Sequence, residues 1–249
     1  MNRWTGRVAV VTGASVGIGE AIATTLVEHG LKVVGLARRL DKLHKITERL
    51  ASAKGTFYPV QCDVTKENEI LEAFKFTENL GGVDVLINNA GVLYSETIID
   101  GTTEKFHATL DVNVIATAIC TREATRSMRE RNVEGHVINI NSIVGHDANR
   151  AQAPLSLYHA SKYAITAMTE VVRNELTAAK APIKVTSLSP GLVKTDMAMS
   201  IVDTDTLFKL APHLLSQDVA DAVVYVLGTP PHVQVTELTI IGSALDGGA

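Results

Sequence analysis

Tyr158 and Lys162, in the run Tyr158-His159-Ala160-Ser161-Lys162, are the side chains of this sequence best suited to moving a proton. Residues at i and i+4 of a helix project from one face, a turn apart. A free phenol titrates at about 10 and is a poor proton donor or acceptor near neutrality. An ammonium beside it favours the phenolate and brings the group toward acid–base use. Any helix can hold such a pair, so its meaning rests on what surrounds it. Ser142 adds a hydroxyl upstream, directly after Gly135 to Asn141, which reads as a strand with Val137, Ile138 and Ile140 apolar. Ligands of doubly wound sheets bind beyond the carboxyl ends of strands, which puts Ser142 where chemistry belongs. His146 and Asp147 invite a triad with Ser142. Adjacent His and Asp rarely orient each other, however, and the Gly-x-Ser-x-Gly elbow is missing. The polar stretch from His146 to Gln152 reads instead as the lining of a substrate mouth.

The elements that must position these groups alternate along the chain. Val8-Ala9-Val10-Val11 is a continuous apolar run, as expected of a strand buried on both faces of a parallel sheet. Thr12-Gly13-Ala14-Ser15-Val16-Gly17-Ile18-Gly19 follows, then a helix with Ile18, Ile22 and Leu26 on one face that stops at Gly30. Strand, glycine turn and helix let a pyrophosphate sit over free helix N–H groups; a plain connecting turn is the alternative. The second strand, Lys32 to Ala37, ends in Arg38-Arg39, with no acidic residue at positions 36 to 40. An acid there would accept from the ribose 2′-hydroxyl of NAD, whereas arginine pairs with the 2′-phosphate of NADP. NADP(H) is therefore the expected cofactor, unless the two arginines only solvate the start of the next helix, Asp41 to about Ala53.

Phe57 to Gln61 reads as a third strand, followed by Cys62-Asp63-Val64-Thr65, where Thr65 can cap a helix with Ile70, Phe74 and Leu80 inward. Val83 to Ile87 is a fourth strand and ends in Asn88-Asn89-Ala90-Gly91, whose amides can bond neighbouring strand ends. A helix from about Thr103 carries Phe106, Leu110, Val114 and Ala118, with Asn113 awkwardly in its middle, because an amide there competes for backbone bonds. The Tyr158 helix runs to about Lys180, with Ala164, Ala167, Met168, Val171 and Val172 packing. The sixth strand, Ile183 to Leu188, leads into Ser189-Pro190-Gly191-Leu192-Val193-Lys194-Thr195. Residues 196–216 form a mixed segment with Met197, Met199, Ile201, Leu207 and Phe208, readable as a lid or a packing helix. A helix from Asp218 to Leu227 and a strand from Val235 to Ile241 close the chain. This alternation predicts an α/β fold: one doubly wound, mainly parallel sheet with helices on both faces, a single domain over 1–249.

Composition agrees and narrows the function. The chain has 249 residues, 46% hydrophobic and 20% charged, enough for one large core and unlike a disordered protein. A net charge of −4 with no basic block excludes a nucleic-acid surface. Cys62 and Cys120 offer no disulfide framework and no metal spacing. No run approaches a membrane span or a signal core, so a cytoplasmic protein is expected.

Thr12, Gly13, Gly17 and Gly19, the Asn-Asn-Ala-Gly run, the Asp-Val-Asn-Val run around Asn113, Ser142 with Tyr158 and Lys162, and Pro190-Gly191 resemble, in order, the motifs of the short-chain dehydrogenase/reductase family. The likeness covers essentially the whole chain. Arg3-Trp4-x-Gly6-Arg7 and Ile138-Asn139-Ile140-Asn141-Ser142-x-x-Gly145-His146 resemble the subgroup that contains farnesol dehydrogenase-like proteins. Family NADP users often carry a basic residue before the middle glycine; Val16 stands there.

The resemblance implies a cofactor held by Gly13, Ser15, Gly17, Ile18 and Gly19, with Arg38 and Arg39 at the 2′-phosphate. It gives Asp63 the adenine amino group, with Val64 beside it. Backbone contacts fall to Asn89 and Gly91, the nicotinamide carboxamide to Pro190, Gly191 and Val193, and a phosphate to Thr195. Tyr158 would exchange the proton and Ser142 orient the oxygen. Lys162 would hold the ribose and, with the positive nicotinamide ring, lower the Tyr158 pKa, and Asn113 would bend its helix and hold a relay water. The implied reaction is hydride transfer to or from an apolar alcohol or carbonyl, farnesol-like isoprenoids first, then steroid or dicarbonyl ketones. A catalytically silent cofactor-binding protein and a nucleotide-sugar epimerase or dehydratase are the alternative classes. The family's long helices imply a homodimer or homotetramer.

Overall fold

The computed structural model describes residues 1–151, 153–200, 208 and 211–243. Seven strands among them form one sheet: β1 (Val8–Thr12), β2 (Lys32–Ala37), β3 (Thr56–Gln61), β4 (Val85–Asn88), β5 (Gly135–Ile140), β6 (Ile183–Pro190) and β7 (Glu237–Ile240). Their order is β3-β2-β1-β4-β5-β6-β7 and every pairing is parallel. The order reverses between β1 and β4, which opens a crevice at their carboxyl ends. The sheet is thus the expected doubly wound one, parallel throughout.

Helices cover both faces: α1 (Gly17–Glu28), α2 (Leu40–Arg49), α3 (Glu67–Glu78), α4 (Thr103–Leu110), α5 (Ala116–Glu130), α6 (Tyr158–Ala178), the short α7 (Asp196–Met199) and α8 (Ser216–Gly228). The continuous apolar run of β1 serves two cores at once. Ala9 and Val11 pack with Ile22 and Leu26 of α1 and Val219 and Val223 of α8. Val8 and Val10 pack on the other side with Ile70 and Phe74 of α3 and Ala124 and Met128 of α5. Each fully buried Leu or Ile of this kind contributes about 2–3 kcal/mol, so both faces bind their helices firmly. Asp84 pins the bottom of the sheet, accepting from the Val8 N–H at 3.0 Å and pairing with Arg7 and Arg131. Among the described residues, no helix is long and apolar enough to cross a membrane.

Two helices turn differently from the faces their periodicity predicts. A π turn at Asp111–Ile115 interrupts the helix between α4 and α5, with the Ala116 N–H reaching back to the Asp111 carbonyl. The buried line is therefore Thr109, Asn113, Ala116, Thr117, Cys120, Ala124 and Met128. Leu110, at 38% exposure, and Ala118 face out instead. On α6, Ser161, Lys162, Ile165, Thr169 and Leu176 are buried, whereas Ala167 and Val171 are exposed. Of the mixed segment, Met197 and Met199 lie on α7; Ile201 and Leu207 fall outside the described residues, as does Gln152 of the mouth loop.

Candidate active site

Six of the seven strand ends on the carboxyl side of the sheet, those of β1 to β6, deliver residues to one cavity of about 700 Å³. After β1 come Gly13, Ser15, Gly17, Ile18 and Gly19; after β2, Arg38 and Arg39; after β3, Asp63 and Val64. After β4 come Asn89 and Gly91, after β5 Ser142, and after β6 Pro190, Gly191, Val193 and Thr195. The first turns of α6 bring Tyr158 and Lys162 to the same space. Asn113 alone of the expected residues stands one layer behind it. Leu93, Val112 and Leu155 also line the cavity and were not singled out from sequence. Leu93 could have been, because it follows the Asn-Asn-Ala-Gly strand end.

The glycine end is a cradle that side chains would fill. A Cβ on Gly19 would lie 2.3 Å from the Gly13 carbonyl oxygen and 2.4 Å from Asn89 Nδ2. Gly13 and Gly17 sit at φ +67° and +60°, the left-handed region that only glycine enters freely. The N-terminus of α1 opens at Gly17, where free N–H groups and the helix dipole favour an anion. Arg39 is ordered beside this turn, its Nη2 donating to Ser15 Oγ at 3.0 Å. Arg38 lies close enough to Asp63 to act on its charge. Burial pushes the Asp63 carboxyl up, but hydrogen bonds from Thr65 and the Arg38 charge outweigh that and hold it below the ordinary value. Open backbone, helix dipole and two guanidiniums fit a dinucleotide diphosphate carrying a further anionic group.

Asn88 and Asn89 do the structural work. Asn88 Nδ2 donates to Thr121 Oγ1 at 3.0 Å and Asn139 Oδ1 at 2.9 Å. Asn89 Nδ2 donates to the Thr12 and Gly13 carbonyls at 2.9 and 3.3 Å. Thr12 Oγ1 returns the favour by accepting from the Asn89 and Ala90 N–H groups. Asn113 is 3% exposed and also committed: Oδ1 accepts from Val92 N–H at 2.8 Å, and Nδ2 donates to the Val92 carbonyl and to Ser161 Oγ. It thereby ties the strand β4 exit to the start of α6. Thr195 caps α7, accepting from Ala198 N–H at 3.3 Å.

Ser142, Tyr158 and Lys162 converge. The Tyr158 hydroxyl is hydrogen-bonded to Ser142, and Lys162 Nζ lies 5.5 Å from the Tyr158 ring centroid. Lys162 Nζ donates to the Ile140 carbonyl at 2.8 Å, not to the phenol. Burial dominates both groups. Burial pushes Tyr158 up to about 12, only partly countered by the Ser142 hydrogen bond. Burial also pulls Lys162 down to about 8. Loss of water sets both shifts, with the Ser142 hydrogen bond the one opposing cause, which the one-turn spacing alone cannot reveal. His146 turns away from Ser142: its Nε2 is 2.9 Å from Ser189 Oγ and 3.2 Å from Glu237 Oε1, so no Ser-His-Asp triad forms. Among the described residues no cluster of side chains could hold a metal ion.

Comparison with known proteins places this geometry. The family profile described as short chain dehydrogenase matches residues 7–206. The chain is 50% identical to dehydrogenase/reductase SDR family member 11 of Gallus gallus, covering 96% of each. It is 49% identical to farnesol dehydrogenase of Aedes aegypti, covering 96% of this chain and 97% of the relative. Among solved structures, an alcohol dehydrogenase from Thermococcus sibiricus complexed with 5-hydroxy-NADP is similar, with TM-score 0.82 and 28% identity over 94% and 95% of the two chains. A short-chain oxidoreductase from a metagenome, in complex with NADP, aligns with TM-score 0.80 and 28% identity over 96% and 98%.

Proposed function

The chain belongs to the short chain dehydrogenase family, and from that premise we propose an NADP(H)-dependent enzyme acting on a small to medium apolar alcohol or carbonyl compound. It is an oxidoreductase acting on CH–OH groups. Farnesol-like isoprenoids lead the substrate classes, supported by the 49% identical farnesol dehydrogenase and by Leu93, Leu155, Leu192 and Met197 on the cavity wall. Steroid or dicarbonyl ketones come next. The observation that carries the reading is the meeting of Ser142, Tyr158 and Lys162 in the cavity whose far end holds Arg38 and Arg39.

A nicotinamide dinucleotide, when bound, supplies or accepts the hydride. Arg38 and Arg39 are the residues that would hold its extra phosphate, and the Gly13–Gly19 turn its diphosphate. Ser142 orients the substrate oxygen by hydrogen bonding, and Tyr158 gives that oxygen its proton or takes it away. A phenol held near 12 is undissociated at neutral pH, the form that carbonyl reduction requires. Lys162 brings positive charge below the phenol, and Asn113 fixes the start of α6 that carries both. The family's assembly mode extends the reading: Leu110 and Ile115, beside α5, and Tyr163 and Val171, on α6, are 38–53% exposed and support a homodimer or homotetramer. A cytoplasmic location is part of the same proposal.

A panel of isoprenoid, steroid, retinoid and short dicarbonyl substrates, run with NADPH, NADH and their oxidised forms, tests this. Tyr158→Phe is expected to bind NADPH normally and to lose about 10²–10⁴-fold in turnover. Undiminished turnover in that variant would refute the assignment.

A further inference from the structure

His146 is the one polar side chain of the Ser142 turn whose partners lie across the sheet. The turn is a single 3-10 loop, Ile143–Gly145, closed by Gly145 N–H to the Ser142 carbonyl at 3.0 Å and His146 N–H to the Ile143 carbonyl at 3.1 Å. On one side it leans on α6. Thr166 Oγ1 donates to the Gly145 carbonyl at 2.9 Å, and a Cβ on Gly145 would lie 2.8 Å from the Lys162 carbonyl oxygen. On the other side His146 Nε2 meets Ser189 Oγ at 2.9 Å and Glu237 Oε1 at 3.2 Å.

Those two partners belong to the opposite wall. Ser189 is fully buried and immediately precedes Pro190-Gly191, which line the cavity. Glu237 begins β7, a four-residue edge strand paired only with β6, Ser187 lying opposite Glu237. Nε2 hydrogen-bonds with the Ser189 hydroxyl, and the Glu237 carboxylate stands beside the same ring nitrogen as a close polar contact. We propose that His146 is a positioning residue: it fastens the Ser142 turn to the end of β6 and to β7, fixing the Ser142 hydroxyl relative to the Pro190-Gly191 wall. It touches neither the substrate nor the reacting atoms. The effect on turnover rests on the oxidoreductase reading given above; the fastening itself does not.

The test compares wild type with His146→Leu, His146→Gln and Glu237→Gln, measuring kcat, KM, NADPH affinity by fluorescence, and amide exchange across residues 142–147. In His146→Leu, kcat is expected to fall about tenfold, with KM and NADPH affinity changing less than about threefold, as for lost orientation of a reacting group. His146→Gln keeps an N–H at similar reach and should recover most of that loss. Glu237→Gln should fall between wild type and His146→Leu. The Gly145 and His146 amides should exchange about tenfold faster in His146→Leu than in wild type and slow again in His146→Gln. Wild-type turnover in His146→Leu, or His146→Gln as slow as His146→Leu, overturns the proposal. If no substrate in the panel turns over even in wild type, the oxidoreductase reading fails; unchanged amide exchange would then still overturn the fastening, and faster exchange support it.

Discussion

Replacing Lys162 with methionine should stabilise the cofactor-free protein while ending its turnover. The side chain is 8% exposed, and burial brings its pKa from 10.5 down to about 8. A depression of that size corresponds to about 3 kcal/mol for keeping the charged amine out of water. Methionine has similar length and needs no water, but it leaves the Ile140 carbonyl without the donor now at 2.8 Å, a loss of about 1 kcal/mol. The net gain expected near neutrality is about 2 kcal/mol. The folded chain releases this proton at lower pH than the unfolded chain does. The unfolded state therefore binds more protons between about 8 and 10.5, and wild-type stability rises across that window. The advantage of Lys162→Met should be largest at about pH 7 and largely gone by about pH 9.5, and the Tyr158 phenol, present in both proteins, drops out of the comparison. Urea unfolding of both proteins without cofactor, at those two pH values, measures it. A variant less stable than wild type at neutral pH, or a difference that does not change with pH, would refute the reasoning.

His136 is fully buried, with Nε2 2.8 Å from Thr186 Oγ1, and burial, aided by the Lys184 and Arg3 charges, lowers its pKa to about 3. Its folded pKa lies below the unfolded one, so its contribution to stability is complete above about pH 6.5 and is lost as pH falls toward 3. His136→Gln should show a shallower acid decline in chemical melts than wild type; identical slopes would count against it. For assembly, sedimentation should show a dimer or tetramer, and Val171→Glu on the exposed face of α6 should shift it toward monomer. A wild-type monomer at micromolar concentration would sink the oligomer.

Much of the site was legible because strand ends are marked by residue type. A strand buried on both faces, such as β1, shows as an unbroken apolar run, and the glycines after it have few other uses. Arg38-Arg39 and Pro190-Gly191 stand out by the same position rule. The faces of the α4–α5 helix and of α6 were misread for a physical reason: apolar residues such as Leu110 and Val171 fit a stripe, but a stripe does not say whether the protein's own sheet or another surface covers it. The π turn has no residue signature beyond an Asn in an awkward place. The Tyr158–Lys162 electrostatics depend on how much water each group loses, which spacing does not encode.

The π turn at Asp111–Ile115 also sets how this part of the chain tolerates insertion and deletion. Winding at 3.6 residues per turn means that one residue gained or lost rotates everything downstream by about 100°. Deleting a single residue there would yield a more regular helix and a worse protein. Each downstream residue would take its predecessor's place, so Arg122 and Arg129 would be driven into the buried positions of Thr121 and Met128, and Met128 out to the half-buried position of Ser127. The irregular turn acts as a phase adjuster, letting Asn113 stay under the site without costing α5 its seat.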